Sequence, residues 1–531
     1  MTIYGYVAGA AWIFFSAATL LRFAHVLQAE RYHTNAYLKW GLEGGGLNTF
    51  VRNRHYAALH AAVFCFLFLM LSGALIPASF SLLALAVIAV FWGAANIRAD
   101  KGQKKPLVIT ARIKRLFAAT ILIEAALLAI TLPHGEVFII AILVLFGYAQ
   151  LFMLALGNIA STPIEKALQE GFKKQARLKL RGKQVVAITG SYGKTGTKEA
   201  VAHLLETKYP LIKTPGSFNT PMGLCKVINE KMETHHEMFV TEMGATRPGD
   251  IKELCELVRP TVGIITSIGV AHMETFGSPD AVALTKFELA DALPPDGVLF
   301  YDADYELARK HAKGRPQKKI TYGLEQGADY MPLNLRCGRE GSLFDIKTPR
   351  GTIEGVNIKL LGKLHALNVT AAFAVGLHFG IDPERLKHGA RTLDQVEARL
   401  QLIQNPGGYL IINDGFNSNP VGAATAAETL GYFAGFKKIM ATPGIVDLGG
   451  EHEKVNFAFG KAAAPYCDIV LLINQRRTKP IADGLLAAGF DENNILPFTS
   501  LADARGWLAQ HADANSVVLF ENDLPDHMEQ F

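Results

Sequence analysis

At 531 residues the chain is long enough for about three domains of ordinary size, and a hydrophobic fraction of 50% with a mean hydropathy of +0.19 is high for a chain lying wholly in water. A net charge of +5 is small for this length, and no basic stripe is interleaved with aromatics, so no nucleic-acid partner is indicated. Cys65, Cys225, Cys255, Cys337 and Cys467 are odd in number, scattered and in no metal-ligand spacing, which argues against structural zinc and for reduced thiols facing a cytosol.

Residues 1–157 hold five apolar runs, 3–21, 57–76, 80–95, 116–132 and 137–156, each near the length a helix needs to cross about 30 Å of hydrocarbon. Arg22, Arg31, Lys39, Arg52 and Arg54 lie between the first two runs, and Arg98, Lys101, Lys104, Lys105, Arg112, Lys114 and Arg115 between the third and fourth. By the positive-inside rule both loops face the cytoplasm. The pattern therefore predicts a multi-pass membrane protein with its N-terminus outside and everything after the fifth run inside, a location that the family resemblance given below would make the bacterial cytoplasmic (inner) membrane. Glu124 falls within the fourth run, where an ionised carboxylate is costly, and a helix-packing hydrogen bond to Gln150 or a polar-cavity role would explain it. A basic amphipathic connector, 158–180, follows.

From 185 the pattern changes. Val185 to Thr189 is a β-type apolar run that breaks into Gly190-Ser191-Tyr192-Gly193-Lys194-Thr195-Gly196 and then into a helix-like stretch. Glycines let backbone N–H groups turn around anionic oxygens, and a helix N-terminus adds positive potential. Lys194 would then meet the β/γ-phosphates of a nucleoside triphosphate while the Thr195 hydroxyl holds magnesium. The general Walker spacing asks for a glycine where Ile188 stands, so only a shorter form is present, and a plain strand-to-helix turn is the competing reading.

Short β-rich runs at 185–189, 238–242, 262–267 and 297–301 alternate with helical ones, which predicts a parallel sheet with helices on both faces and ligands at the carboxyl ends of its strands. Glu242 closes the second run and His272 follows the third. A carboxylate and an imidazole at neighbouring strand ends can both ligate the magnesium that ATP brings, although either alone reads as an ordinary polar loop residue.

Thr189-Gly190 before the loop, Glu242-Met243-Gly244-Ala245 with Pro248-Gly249-Asp250-Ile251, and Ile268-Gly269 with Ala271-His272 together resemble the signatures of the Mur ligase family, most of all its D-alanyl-D-alanine-adding branch. The resemblance implies magnesium on Thr195, Glu242 and His272, with a carbamylated lysine completing the metal site. Lys286 stands at that position, in Lys286-Phe287-Glu288 where the family commonly has glycine for Phe287; a surface lysine on a helix is the alternative. It also implies that Asn219, in Ser217-Phe218-Asn219-Thr220, lies over the phosphates and substrate. Asn368 would sit near the base, with His365 at a position where the family has Asn. In Val396-Glu397-Ala398-Arg399-Leu400 and Asn413-Asp414-Gly415, Arg399 and Asp414 would close the ATP site from a third domain, a guanidinium fork suiting the triphosphate and a carboxylate a ribose hydroxyl.

The resemblance is strong over about 180–450, and the family's uridine-nucleotide-binding domain is missing from the first 157 residues. The expected organisation is a bundle of about five transmembrane helices (1–157), the connector (158–180), a central parallel-sheet ATP-binding domain (181–395) and a smaller Rossmann-like α/β domain (396–531). The implied activity is ATP-dependent amide-bond formation through an acyl phosphate in peptidoglycan precursor synthesis. Lys194, Glu242, His272, Lys286 and Arg399 would form the catalytic set, with ATP and Mg2+ as cofactors. Partners would be a muramyl peptide, lipid-linked or not, an amine such as D-Ala-D-Ala, and membrane lipids. The rivals are a membrane ligase resembling poly-γ-glutamate capsule synthases, and a nucleotide-switched transport or scaffold module.

Overall fold

The computed structural model describes residues 14, 20, 21, 23–30, 32–43, 87, 107–131, 136–216, 218–269, 276–325, 327–338, 340–395, 397–405, 407–415, 420–446 and 448–522. Its contacts divide the chain into two compact units, Met1–Gly171 and Phe172–Phe531.

In the first unit the described helices include α1 (Thr34–Glu43), α2 (Ala111–Thr131) and the start of α3 (Glu136–Lys179). Leu20, Phe23, Leu27, Tyr37, Ile113, Leu116, Leu151 and Leu154 bury their side chains together. Polar side chains beside this packing form pairs, as most buried polar groups do. Arg115 grips both oxygens of Glu165 at 2.5 and 3.0 Å. Gln150 Nε2 donates to Glu124 Oε1 at 2.8 Å, the helix-packing bond expected of Glu124. Burial pushes the Glu124 carboxyl above its ordinary range, and the Gln150 bond opposes this.

The structure corrects the expectation of a transmembrane bundle, and with it that of a multi-pass membrane location: among the described residues, no helix is long and apolar enough to cross a membrane. The runs 3–21, 57–76 and 80–95 lie almost entirely outside those residues. The fourth run shows the physical reason. Its helix, α2, opens on Arg112, Lys114 and Arg115 and carries Glu124 midway, which leaves an apolar stretch short of the roughly 20 residues that a span needs. The high hydropathy there serves helix packing around internal polar pairs.

The second unit holds one parallel sheet, one mainly parallel sheet and a small antiparallel one. Strands β1 (Gln184–Thr189), β2 (Leu211–Lys213), β3 (Met238–Glu242), β4 (Val262–Ile265), β5 (Val298–Asp302) and β6 (Lys318–Tyr322) form one sheet in the order β2-β3-β1-β4-β5-β6, with every pairing parallel. The α/β part of the expectation therefore stands. β1 is covered on both faces. Val186 and Ile188 pack with Val201, Leu204 and Phe373, while Val185 and Ala187 pack with Phe239, Leu254 and Phe287. That is why it reads as an unbroken apolar run rather than an alternating one. The strand order reverses beside β1, so its carboxyl end opens into the crevice where such sheets bind ligands.

An antiparallel three-stranded sheet follows, of β7 (Met331–Gly338), β8 (Gly341–Thr348) and β9 (Gly351–Ile358). The last sheet takes β10 (Gln401–Gln404), β11 (Leu410–Asp414), β12 (Lys437–Thr442), β13 (Ile469–Ile473), β14 (Ile495–Phe498) and β15 (Ser516–Glu521) in the order β10-β11-β15-β12-β13-β14. Only β10 pairs antiparallel in it. Helices α4 (Lys194–Glu206), α5 (Pro221–Lys231), α6 (Asp250–Val258), α7 (Pro279–Ala292) and α8 (Lys363–His378) surround the first sheet.

Candidate functional site

The site is built on the turn from β1 into α4. Gly193 caps α4 with φ 79° and no side-chain cap; glycine adopts this left-handed conformation at no steric cost, and the first N–H groups of the helix are left for an anion. The loop is stitched to the turn after β4. Ser191 N donates to Ser267 O (2.8 Å), Tyr192 N to Ser267 Oγ (2.6 Å), and Thr266 Oγ1 to Tyr192 O (2.5 Å). Lys194 folds back, its Nζ donating to Gly190 O and Ser191 O, both at 3.0 Å. Burial lowers the pKa of its ammonium; Glu242 opposes this and Arg399 adds to it.

Glu242, 2% exposed, ends β3 beside the loop. Its Oε2 accepts from Thr195 Oγ1 at 2.8 Å and its Oε1 from Asn219 Nδ2 at 3.2 Å. Lys286, 3% exposed, is presented by α7. Burial and then the Lys194 charge push its ammonium down to about 7, against the pull of Asp250, Glu288 and Glu242. Lys194, Thr195, Asn219, Glu242 and Lys286, far apart in sequence, thus form one electrostatic cluster. His272 lies outside the described residues.

A hydroxyl and a carboxylate 2.8 Å apart are hard oxygen donors of the kind magnesium takes. Among the described residues no group of three or more His, Cys, Asp or Glu could hold a metal.

One pocket runs from Gly193 and Gly196 past Thr266 to Asp302 and Tyr305, and its other wall carries Asn368, Arg399 and Asp414. Asn368 Oδ1 accepts from Thr197 Oγ1 at 3.0 Å, and its Nδ2 approaches Gly196 so closely that a Cβ there would lie 2.6 Å away. His365 Nε2 donates to Arg399 O at 3.2 Å, and burial pushes its imidazole down to about 4, leaving it neutral. Leu400 N donates to Asp414 Oδ1 at 3.0 Å, and burial pushes that carboxyl up to about 6, against the Leu400 bond and the Arg399 charge. Arg399 stands between two non-glycine residues in the left-handed region, Ala398 at φ 53° and Leu400 at φ 49°.

Sequence reasoning missed Lys198, Asp302 and Tyr305. Lys198, on α4, is fully buried, and its Nζ donates to Thr214 O (2.7 Å) and Gly216 O (2.6 Å), tying down the segment that carries Asn219. Asp302 ends β5 as Glu242 ends β3, and that shared strand-end position was the available signal.

Residues 188–376 match the Mur ligase middle domain. The UDP-N-acetylmuramoyl-tripeptide--D-alanyl-D-alanine ligase of Bacillus subtilis is 32% identical over 356 residues, which make up 67% of this chain and 76% of that protein. Among solved structures, MurF from Acinetobacter baumannii is similar with a TM-score of 0.60 at 25% identity, over 68% of this chain and 79% of that one. MurF ligase from Thermotoga maritima in complex with ADP gives 0.59 at 26% identity, over 67% and 80%. The protein is thus an ATP-dependent, ADP-forming acid-amine ligase, which sets aside the nucleotide-switched transport or scaffold reading. The chain belongs to the Mur ligase family.

Proposed function

We propose that this chain joins D-alanyl-D-alanine to a uridine-linked muramoyl tripeptide, in the manner of the Bacillus subtilis relative. One observation carries the reading: Lys194, Thr195, Glu242 and Lys286 converge beside a pocket that Arg399 and Asp414 close from the next domain. The acceptor carboxylate attacks the γ-phosphorus and ADP leaves; the amine then attacks the acyl carbon, the amide forms and phosphate departs with the acyl oxygen.

Lys194 leaves its own loop carbonyls for the phosphate oxygens, and Arg399 adds a second cation where charge develops. Thr195 and Glu242 would hold magnesium together with His272 and carbamylated Lys286, and the ion would neutralise the β/γ-phosphates when bound. Asn219, anchored on Glu242, would orient the acceptor. Asp414 would accept from a ribose hydroxyl. Closure by the last domain excludes water that would hydrolyse the acyl phosphate.

The test is ADP release and amide formation by the purified chain with ATP, UDP-linked muramoyl tripeptide and D-Ala-D-Ala, each omitted in turn. Turnover that needs both the tripeptide and the dipeptide supports the proposal. Turnover with glutamate instead of the dipeptide would favour the capsule-synthase alternative.

A further inference from the structure

Glu288 links the helix that carries Lys286 to the segment that follows Glu242. Its Oε1 accepts from Gly249 N at 2.7 Å and its Oε2 from Lys252 N at 2.9 Å. These are the N-cap and N3 amides of α6, the two that a capping box satisfies from within a single helix: the N-cap side chain takes the N3 amide and the N3 side chain takes the N-cap amide. Here the N-cap is Gly249, at φ 89° and without a side-chain cap, and N3 is the cation Lys252, so neither can accept. One carboxylate on α7 therefore supplies both halves of the box, at the helix end where the dipole favours an anion.

The link closes a circuit around the site. After Glu242 the chain is fixed to the end of β1 by Met243 N donating to Ile188 O (2.8 Å), and to the Asn219 segment by Gly244 N donating to Asn219 O (3.3 Å). Asp250 Oδ2 then accepts from Thr246 N (2.8 Å) and Arg247 N (3.1 Å), which stiffens the turn into α6. Glu288 joins the far end of that turn to α7, two residues from Lys286. Side chains two apart on a helix leave it in directions about 200° from one another, so Glu288 can grip α6 while Lys286 stays in the cluster with Lys194 and Glu242.

We propose that Glu288 is a positioning residue: by capping α6 from α7 it fixes Lys286 relative to Glu242, and through them the affinity of the site for a divalent cation. The inference rests on the magnesium reading given above. β3, α6 and α7 share a core through Phe239, Leu254 and Phe287, so each element keeps its fold without the link, and what loosens is the register between the two site residues. Groups that orient metal ligands from behind are worth about ten- to a hundredfold in affinity.

The experiment is titration of Mn2+, a hard cation that takes the same oxygen donors as magnesium, into the purified chain loaded with a non-hydrolysable ATP analogue. Binding is followed by electron paramagnetic resonance, and the melting midpoint is read alongside. Glu288→Gln, which keeps the shape and loses one acceptor, should weaken Mn2+ about tenfold or more and lower the midpoint. Adding Lys252→Gln to it places at N3 an acceptor that reaches back to Gly249 N, so α6 is capped from within and the net charge returns to that of wild type. In this double variant the midpoint should recover while Mn2+ binding stays weak, because α7 is still untied. Recovery of both would show that Glu288 is a cap or a charge and nothing more, and overturns the proposal. Wild-type Mn2+ affinity in Glu288→Gln overturns it too. Wild type that holds no more Mn2+ than the free analogue does refutes the magnesium reading itself, a result distinct from a lost link.

Discussion

Replacing Lys198 by Met tests how the segment bearing Asn219 is held. The ammonium has no exposure and three donors for three partners: Thr214 O at 2.7 Å, Gly216 O at 2.6 Å and Glu199 Oε1 at 3.0 Å. Methionine keeps the apolar stem as far as Cε, so the loss is chiefly that of the ammonium and its bonds. Breaking a buried ion pair costs about 3–5 kcal/mol. Here Glu199 retains Lys213 at 2.8 Å, which places the expected loss near the lower end, about 3 kcal/mol. At about 2–4 °C per kcal/mol for a domain of this size, the melting midpoint should fall by about 6–12 °C. Gly244 N donates to Asn219 O at 3.3 Å, so its amide should exchange faster with deuterium as the segment loosens. Differential scanning calorimetry and hydrogen exchange on Lys198→Met read both effects. An unchanged midpoint together with unchanged protection at Gly244 would refute the anchoring role.

Lys194→Ala should abolish ATP-dependent turnover while the far-ultraviolet dichroism spectrum stays that of wild type, because among the described residues the side chain bonds to its own loop alone; near-normal turnover would remove the phosphate-loop assignment. Gly196→Ala places a Cβ 2.6 Å from Asn368 Nδ2 and should break the Thr197–Asn368 bond. A rise of about tenfold in the ATP dissociation constant is expected, about 1.4 kcal/mol, and an unaltered titration would contradict it. Asp302 also makes stability depend on pH. Its folded-state pKa of about 8 lies above the ordinary 3.8, so the folded chain binds the extra proton, and the stabilisation is full below about pH 4 and lost as pH rises towards 8. The urea midpoint of wild type relative to Asp302→Asn should fall across that window, and a flat difference would show that the carboxyl is not held neutral.

The site was legible wherever chemistry and strand ends coincide. β1 and β3 announce themselves as apolar runs ending in Thr189 and Glu242, and the glycines after β1 mark the loop. Asp302 ends a strand in the same way, but no glycine follows it, so its strand-end position was the one signal that marked it. Lys198 reads as one more charged helix residue; only the fold shows that the 214–216 carbonyls come round to meet it. Hydropathy misled in the first unit because α2 and α3 are apolar enough to suggest spans, yet the sequence does not show that Glu124 and Arg115 find partners 26 and 50 residues away. A buried polar pair and a buried apolar pair leave the same helical period.

The backbone around Arg399 has a further consequence. Alanine and leucine each pay about 1–2 kcal/mol to stand in the left-handed region, so Ala398 and Leu400 load the joint like a wound spring, held by the His365 and Asp414 bonds. On the role proposed for Arg399 at the phosphates, their departure would leave that elastic energy to favour opening, and a costly conformation would become a device for letting the spent nucleotide go. In Ala398→Gly, where a positive φ carries no such penalty, ADP release followed by stopped-flow fluorescence should be slower than in wild type; equal or faster release would show that the joint stores nothing of use.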